Sequence, residues 1–166
     1  MAQVIFRRAT RADVPAILAL LDDDEIARSR AAGPSPGPDD PTAGALTPEA
    51  VDAALWAAFE AIDADPRNEL IVADAGGAVV GTCQLTFIPS LSRRGAERMT
   101  IEAVRVRGDR RGHGIGREMM LWSLARARER GCGLAQLTTD KRRADAHRFY
   151  TSLGFAASHE GFKIGL

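Results

Sequence analysis

Between an apolar run, Met99 to Val106, and an amphipathic stretch, Ile115 to Arg130, lies the loop Arg111-Gly112-His113-Gly114-Ile115-Gly116. A strand, a glycine loop and a helix in that order restrict what the chain can be. The first turn of a helix leaves backbone N–H groups without partners, and the helix dipole favours negative charge there. Glycines let the backbone approach a ligand and take positive φ. The loop therefore predicts an anion site, and two common phosphate loops do not fit it. A Walker A loop needs Gly-Lys followed by Ser or Thr, and both are missing. A dinucleotide fingerprint needs G-x-G-x-x-G, but after Gly112 and Gly114 the next required position is Arg117. The loop also follows the fourth predicted strand, whereas the dinucleotide fold carries its fingerprint in a first βαβ unit.

The rest of the chain frames that loop. Val4 to Arg7 reads as a strand. Thr10 and Asp13 stand in a capping-box-like place before a helix over 11–21, whose apolar positions are Val14, Ile17, Leu18 and Leu21. Residues 31–41 hold four prolines and two glycines and predict a loop, with a flexible connection over 33–46. Thr47-Pro48-Glu49 reads as a helix start, followed by the stripe Val51, Ala54, Leu55, Ala58 and Ile62. Leu70 to Ala73, a turn over Asp74 to Gly77, and Ala78 to Phe87 read as a hairpin. The helix after the glycine loop should bury Ile115, Met119, Trp122 and Ala125, and Gly131 should end it. Leu134 to Leu137 is a strand, and Ala144 to Leu153 a helix stopped by Gly154. Phe155 to His159 and Phe162 to Leu166 are expected as a last hairpin. The order gives one α/β (α+β) domain over residues 1–166.

Net charge is zero, with 22 basic and 22 acidic residues. That argues against nucleic acid or a membrane surface as partner. The charge is unevenly placed: Arg105 to Arg130 is rich in arginine, and Asp22 to Glu25 is acidic. Cys83 and Cys132 have neither disulfide nor metal spacing, which suits free thiols. No stretch reaches the roughly 18 apolar residues of a membrane helix, and the N-terminus lacks the charge-first order of a secretory signal. A cytoplasmic location and no metal are expected.

Arg111, Gly114 and Gly116 make Arg-x-x-Gly-x-Gly, and downstream stands Ala146-His147-Arg148-Phe149-Tyr150-Thr151-Ser152-Leu153-Gly154-Phe155. In both stretches the chain resembles the GNAT-type N-acetyltransferases, whose first signature sits between the fourth strand and third helix and whose second runs Ala, Phe-Tyr, Leu-Gly-Phe. The resemblance extends over about Val4 to Leu166 and is sharp from Met99 to Phe155. It implies a mixed, mostly antiparallel sheet flanked by about four helices, with strands 4 and 5 splayed, and acetyl-CoA as cosubstrate. The amides of Arg111, Gly112, His113, Gly114, Ile115, Gly116 and Arg117 would hold pyrophosphate. Arg107, Arg110 or Arg117 would meet the 3′-phosphate. Val104, Arg105 and Val106 would pair with the pantetheine arm, and Ala146 and Phe149 would also face the cosubstrate. The chain departs from the family at Asp140, where Asn is common; Asp140 can accept from pantetheine or cap the following turn.

Acetyl transfer needs a neutral amine and a proton for the leaving thiolate. Tyr150, the sole tyrosine, holds the place of the family's general acid, though its spacing with Phe149 and Leu153 also suits a packing residue. A primary amine of pKa ~10.4 costs about 4.6 kcal/mol to neutralise at pH 7, so a base is useful. Glu102 lies in an apolar strand, where the resemblance to glucosamine-6-phosphate acetyltransferases puts a cleft-facing Glu. On plain strand alternation Thr100, Glu102 and Val104 share one side, which would also suit a solvent-facing residue. The Asp22 to Glu25 run is a candidate for attracting the amine. The expected partner is a small-molecule amine, and at most a second copy of the chain.

Overall fold

A computed structural model describes residues 3–23 and 47–165. The connection expected over 33–46, the proline-rich stretch, and Asp24 and Glu25 lie outside the described residues. The strands are β1 (Val4–Arg8), β2 (Asn68–Ala75), β3 (Ala78–Ile88), β4 (Arg98–Val106) and β5 (Leu134–Leu137). The helices are α1 (Val14–Asp22), α2 (Ala53–Ala64), α3 (Ile115–Glu129) and α4 (Ala144–Ser152). The strands form one sheet in the order β1-β2-β3-β4-β5. The first three pairings are antiparallel and β4–β5 is parallel, which gives the expected mixed sheet.

Local chemistry explains most element ends. Thr10 donates from its N–H (2.7 Å) and its hydroxyl (2.9 Å) to Asp13 Oδ2, fixing the turn into α1. Between β2 and β3 only Gly76 and Gly77 remain, with φ of 66° and 92°, the two positive values a type I′ hairpin turn demands. At the end of α3, Cys132 N–H reaches Ala127 O (2.9 Å) and Gly131 N–H reaches Arg128 O (3.0 Å), with Gly131 at φ 79°. That double bond is a Schellman cap. Gly154 closes α4 in the same left-handed conformation.

Both sheet faces are covered. On one, Ile71, Val80, Leu85, Met99 and Ile101 pack with Met119 and Met120 of α3. On the other, Val72 packs with Val14 and Ile17 of α1 and Phe59 of α2. A strand buried on two sides needs no alternation, and β2 accordingly buries Ile71, Val72 and Ala73 in succession.

Three expectations are corrected. Pro48–Ala50 forms only a 3₁₀ turn, since Val51 is extended at φ −78°, ψ 124°. The second helix therefore starts at Ala53, capped by Asp52, which accepts from Ala54 N–H at 2.7 Å. Its buried face is set by Trp56 and Phe59, while Leu55 and Ala58 are exposed. In α3, Ala125 is exposed and Ser123 is buried instead, its hydroxyl satisfied by Met119 O at 2.8 Å. The final hairpin is not formed among the described residues. Ser158 N–H turns back to Ala156 O (2.9 Å) and Glu160 pairs with Lys141 (3.0 Å), so the segment bends around the end of β5.

Candidate active site

β4 and β5 pair only from Arg98↔Leu134 to Ile101↔Leu137. β5 then stops, while β4 runs on to Val106 along β3. The β5-facing edge of residues 102–106 is thereby left without a neighbouring strand. Arg107 N–H donates to Val80 O at 2.9 Å, across to β3. Strand amides alternate edges, so the N–H and C=O of Val106 face the opening.

A bulge sharpens this break. Gln84 pairs with Glu102 and Thr82 with Arg105, so Ala103 and Val104 together oppose Cys83. Ala103 takes φ 51°, strained for a residue with a Cβ. Gly81 makes room, for a Cβ there would lie 3.0 Å from Arg105 O. The inserted residue changes the facing of everything after it. Val104 and Val106 pack on the α3 side with Met99 and Ile101. Glu102 and Arg105 therefore share the opposite face, towards α1. Plain alternation had grouped Glu102 with Val104, and the bulge corrects that.

The opening is a cleft of about 740 Å³. One wall is β4 from Ile101 to Val106, with Glu102, Val104 and Arg105 all lining it. The floor is the glycine loop: Arg111, Gly112, Gly114, Ile115, Gly116 and Arg117 border the cleft. Gly112 and Gly114 take φ of 77° and 84°. The first bond into α3 runs from Glu118 N–H to Gly114 O at 3.0 Å, leaving the amides of Ile115, Gly116 and Arg117 facing outward. The third wall carries Asp140, Ala146, Phe149 and Tyr150. His113 does not border the cleft; its Nδ1 lies 2.9 Å from Arg111 O.

The side chains sort by what already holds them. Arg111 borders the cleft, but its Nε donates to Val106 O (3.1 Å) and its Nη2 to Asp23 Oδ2 (3.3 Å). Asp23 thus faces the glycine loop through Arg111, and Arg107 is forked onto Asp109 at 2.6 and 3.0 Å. Asp140 caps its turn: it accepts from Arg142 N–H (2.9 Å) and from that guanidinium (3.1 and 3.0 Å). Glu102 is exposed on the wall.

Tyr150 is half-buried, with its ring 5.2 Å from Phe149 and 6.0 Å from Phe155. Burial pushes its phenol above the ordinary value, while the charges of Arg105 and Arg143 pull it partly back. Burial likewise pushes the Cys83 thiol up to about 12, which suits a core residue. Among the described residues, no three His, Cys, Asp or Glu side chains gather as metal ligands, and no helix is long and apolar enough to cross a membrane.

Ala103, Arg143 and Lys163 also belong to the cleft wall and were not singled out from sequence. Alanine carries no preference for positive φ, and Arg143 and Lys163 lie outside both signatures. A positive-φ bulge had no local signal to find it by.

The profile of the acetyltransferase (GNAT) family matches residues 39–155. The chain belongs to the GNAT acetyltransferase family. Over 56 residues it is 41% identical to aminoalkylphosphonate N-acetyltransferase of Salmonella typhimurium, a match spanning 34% of this chain and 36% of that enzyme. A transcriptional regulator from Bacillus halodurans C-125 is 42% identical, with a TM-score of 0.86 over 99% of this GNAT chain and 100% of that one. A predicted acetyltransferase from Clostridium acetobutylicum, solved with acetyl-CoA, shares the fold at 18% identity, with a TM-score of 0.67 over 98% and 96% of the two chains.

Proposed function

We propose that this chain transfers acetyl from acetyl-CoA to the primary amine of a small molecule, by direct attack in a ternary complex. One observation carries the reading: the open edge of β4, the glycine-loop helix start and Tyr150 meet in a single cleft. The donor groups suit acetyl-CoA. The outward amides of Ile115 to Arg117 match a pyrophosphate, and the β4 edge beyond β5, where the Val106 carbonyl accepts from Arg111 and its N–H faces the cleft, matches an arm that carries its own amides. Arg110 and Arg117, both bordering the cleft, are the cations placed for the remaining phosphate.

In the reaction the amine nitrogen attacks the thioester carbonyl. The carbonyl oxygen takes the developing charge and is met by the Val106 N–H. The C–S bond breaks as the carbonyl re-forms. The thiolate takes the phenol proton of Tyr150, and the nitrogen loses its proton to Glu102 or to water. A phenol held above its ordinary value stays protonated throughout the neutral range, as the acid requires. Glu102 shares the α1 face with Arg105, so the acceptor enters from that side.

The test is acetyl-CoA turnover over an amine panel, with aminoalkylphosphonates first because the Salmonella relative acts on them. Tyr150→Phe is expected to lower kcat by about 10²–10³ while the KM for acetyl-CoA stays within about twofold. Equal turnover by the two proteins would remove Tyr150 from the mechanism. A second reading is a non-catalytic acyl-CoA sensor, favoured by the regulator from Bacillus halodurans. Tight acetyl-CoA binding with no turnover on any amine would select it. Acetylation of a protein N-terminus or lysine would show as turnover on peptides alone.

A further inference from the structure

The Arg111 guanidinium borders the cleft, but the two N–H groups of its fork are divided between protein partners. Nε donates to Val106 O at 3.1 Å and Nη2 to Asp23 Oδ2 at 3.3 Å. That fork is the edge an arginine offers to a phosphate or carboxylate in bidentate fashion. Here it is split between a strand carbonyl and a helix end. The other arginines of this connection stay local, for Arg107 and Arg110 both pair with Asp109. Arg111 instead reaches a residue 88 positions away, the cap at the end of α1.

What Arg111 holds is the end of β4. The peptide between Val106 and Arg107 is gripped from both sides: its N–H donates to Val80 O at 2.9 Å, and its carbonyl accepts from Arg111. Val106 lies beyond the last β4–β5 pair, so β5 does not hold it on the cleft side. Asp23 fixes the guanidinium in turn. It lies against the turn at Gly108, where an added Cβ would come 3.8 Å from its Oδ2. The adjoining peptide, between Arg105 and Val106, carries the N–H aimed at the thioester oxygen. Such a donor acts only while its direction is fixed in advance. α1 packs over β3 and β4, so Asp23 ties the helix on the acceptor side to the strand that meets the cosubstrate.

We propose that Asp23 and Arg111 are a positioning pair: Asp23 holds the Arg111 guanidinium, and Arg111 holds the Val106 carbonyl, so that the Val106 N–H stays aimed into the cleft. This rests on the acetyl-transfer reading of the same cleft. The Arg111 side chain then serves the rate of the chemical step, and the loop amides meet the phosphates. Both side chains are more than half exposed, which keeps the effect of the pair modest.

The experiment has one arm with turnover and one without, both on the full chain. Steady-state acetylation is compared for wild type, Asp23→Asn, Asp23→Glu, Arg111→Gln and the double variant Asp23→Asn/Arg111→Gln, with the Kd for CoA measured for each. Asp23→Asn is expected to lower kcat about threefold. Arg111→Gln should lower it about tenfold, because the Val106 hydrogen bond goes too. The double variant should be no slower than Arg111→Gln, since Asp23 acts only through Arg111. Asp23→Glu should recover most of the loss, and the Kd for CoA should stay within about twofold throughout. Additive losses in the double variant, or wild-type kcat in Asp23→Asn, overturn the proposal. A Kd for CoA raised about tenfold in Arg111→Gln also overturns it, since the side chain would then be a phosphate ligand. The second arm is amide hydrogen exchange at Arg107, read relative to the fully buried Ile71. It should quicken about threefold in Asp23→Asn and about tenfold in Arg111→Gln. Unchanged exchange overturns the positioning pair whatever the turnover. Quickened exchange in a protein that acetylates no amine would sink the enzymatic reading and leave the clamp on Val106 standing.

Discussion

β2 and β3 stay paired from Asn68↔Thr86 to Ala75↔Ala78, across one irregularity at Ala73/Asp74, whereas β4 and β5 part after Ile101↔Leu137. The first pair is buried on both faces and is braced at its end by Arg7, which bridges Asp13 (2.8 Å) and Asp74 (2.9 Å). The second pair gives up its ladder just where polar side chains begin. The comparison separates two uses of a sheet. Closed edges and apolar faces hold the fold, and an edge left open presents backbone donors and acceptors to a ligand. The two should therefore fail differently when mutated.

The largest contrast is expected at the closed end. Ile71 is fully buried between β2's neighbours and α3. Ile71→Ala should cost about 2–5 kcal/mol in urea denaturation while the KM for acetyl-CoA hardly moves. A comparable loss of cosubstrate affinity would show that the two ends are coupled.

A smaller effect is expected from acid. The Arg7 guanidinium holds the Asp13 carboxyl at about 2, helped by the Thr10 hydrogen bonds. Because the folded value lies below the ordinary one, this stabilisation is fully present above pH ~4 and is lost as pH falls towards 2. Stability curves of wild type and Asp13→Asn should differ by about 2 kcal/mol at pH 6 and converge near pH 2. A gap that persists at pH 2 would mean packing, not charge, is responsible.

The smallest effect belongs to the open end. Ala103→Gly should leave stability within about 1 kcal/mol, since relief of the positive φ offsets the added chain freedom. Ala103→Val should lose about 1–2 kcal/mol and lower kcat as well, because β-branching opposes that conformation. Thermal melts beside turnover assays would separate the two losses, and equal behaviour of the two variants would mean the bulge is not strained.

The legible parts of this molecule are those whose signals are local. Glycines at Gly131 and Gly154 announced helix ends because only positive φ fits there, and the Asp74-Ala75-Gly76-Gly77 turn announced a hairpin for the same reason. The floor of the cleft was legible because a glycine loop must be written in glycines. The failures came from tertiary choices. Two faces were open to α2, and the sheet took Phe59 in place of Leu55 and Ala58. The last hairpin was expected over Phe155 to His159 and Phe162 to Leu166, yet the described residues 156–165 form no strand and stay exposed. That Glu102 shares its face with Arg105 and not with Val104 depended on a bulge that no residue type predicts.

That bulge makes one strand obey two parities. Before Ala103, odd-numbered positions of β4 belong to the apolar core; after it, even-numbered ones do. Flattening the bulge with every residue kept would turn Arg105 towards α3 and carry Val104 and Val106 out to the α1 side, whereas deleting Ala103 would leave all three facing as they do now. With the bulge kept, Glu102 and Arg105 can be altered without touching the half-buried Val104 and Val106, which face the other way. The same nine residues can thus be tuned for different acceptors while the edge offered to the cosubstrate stays as it is.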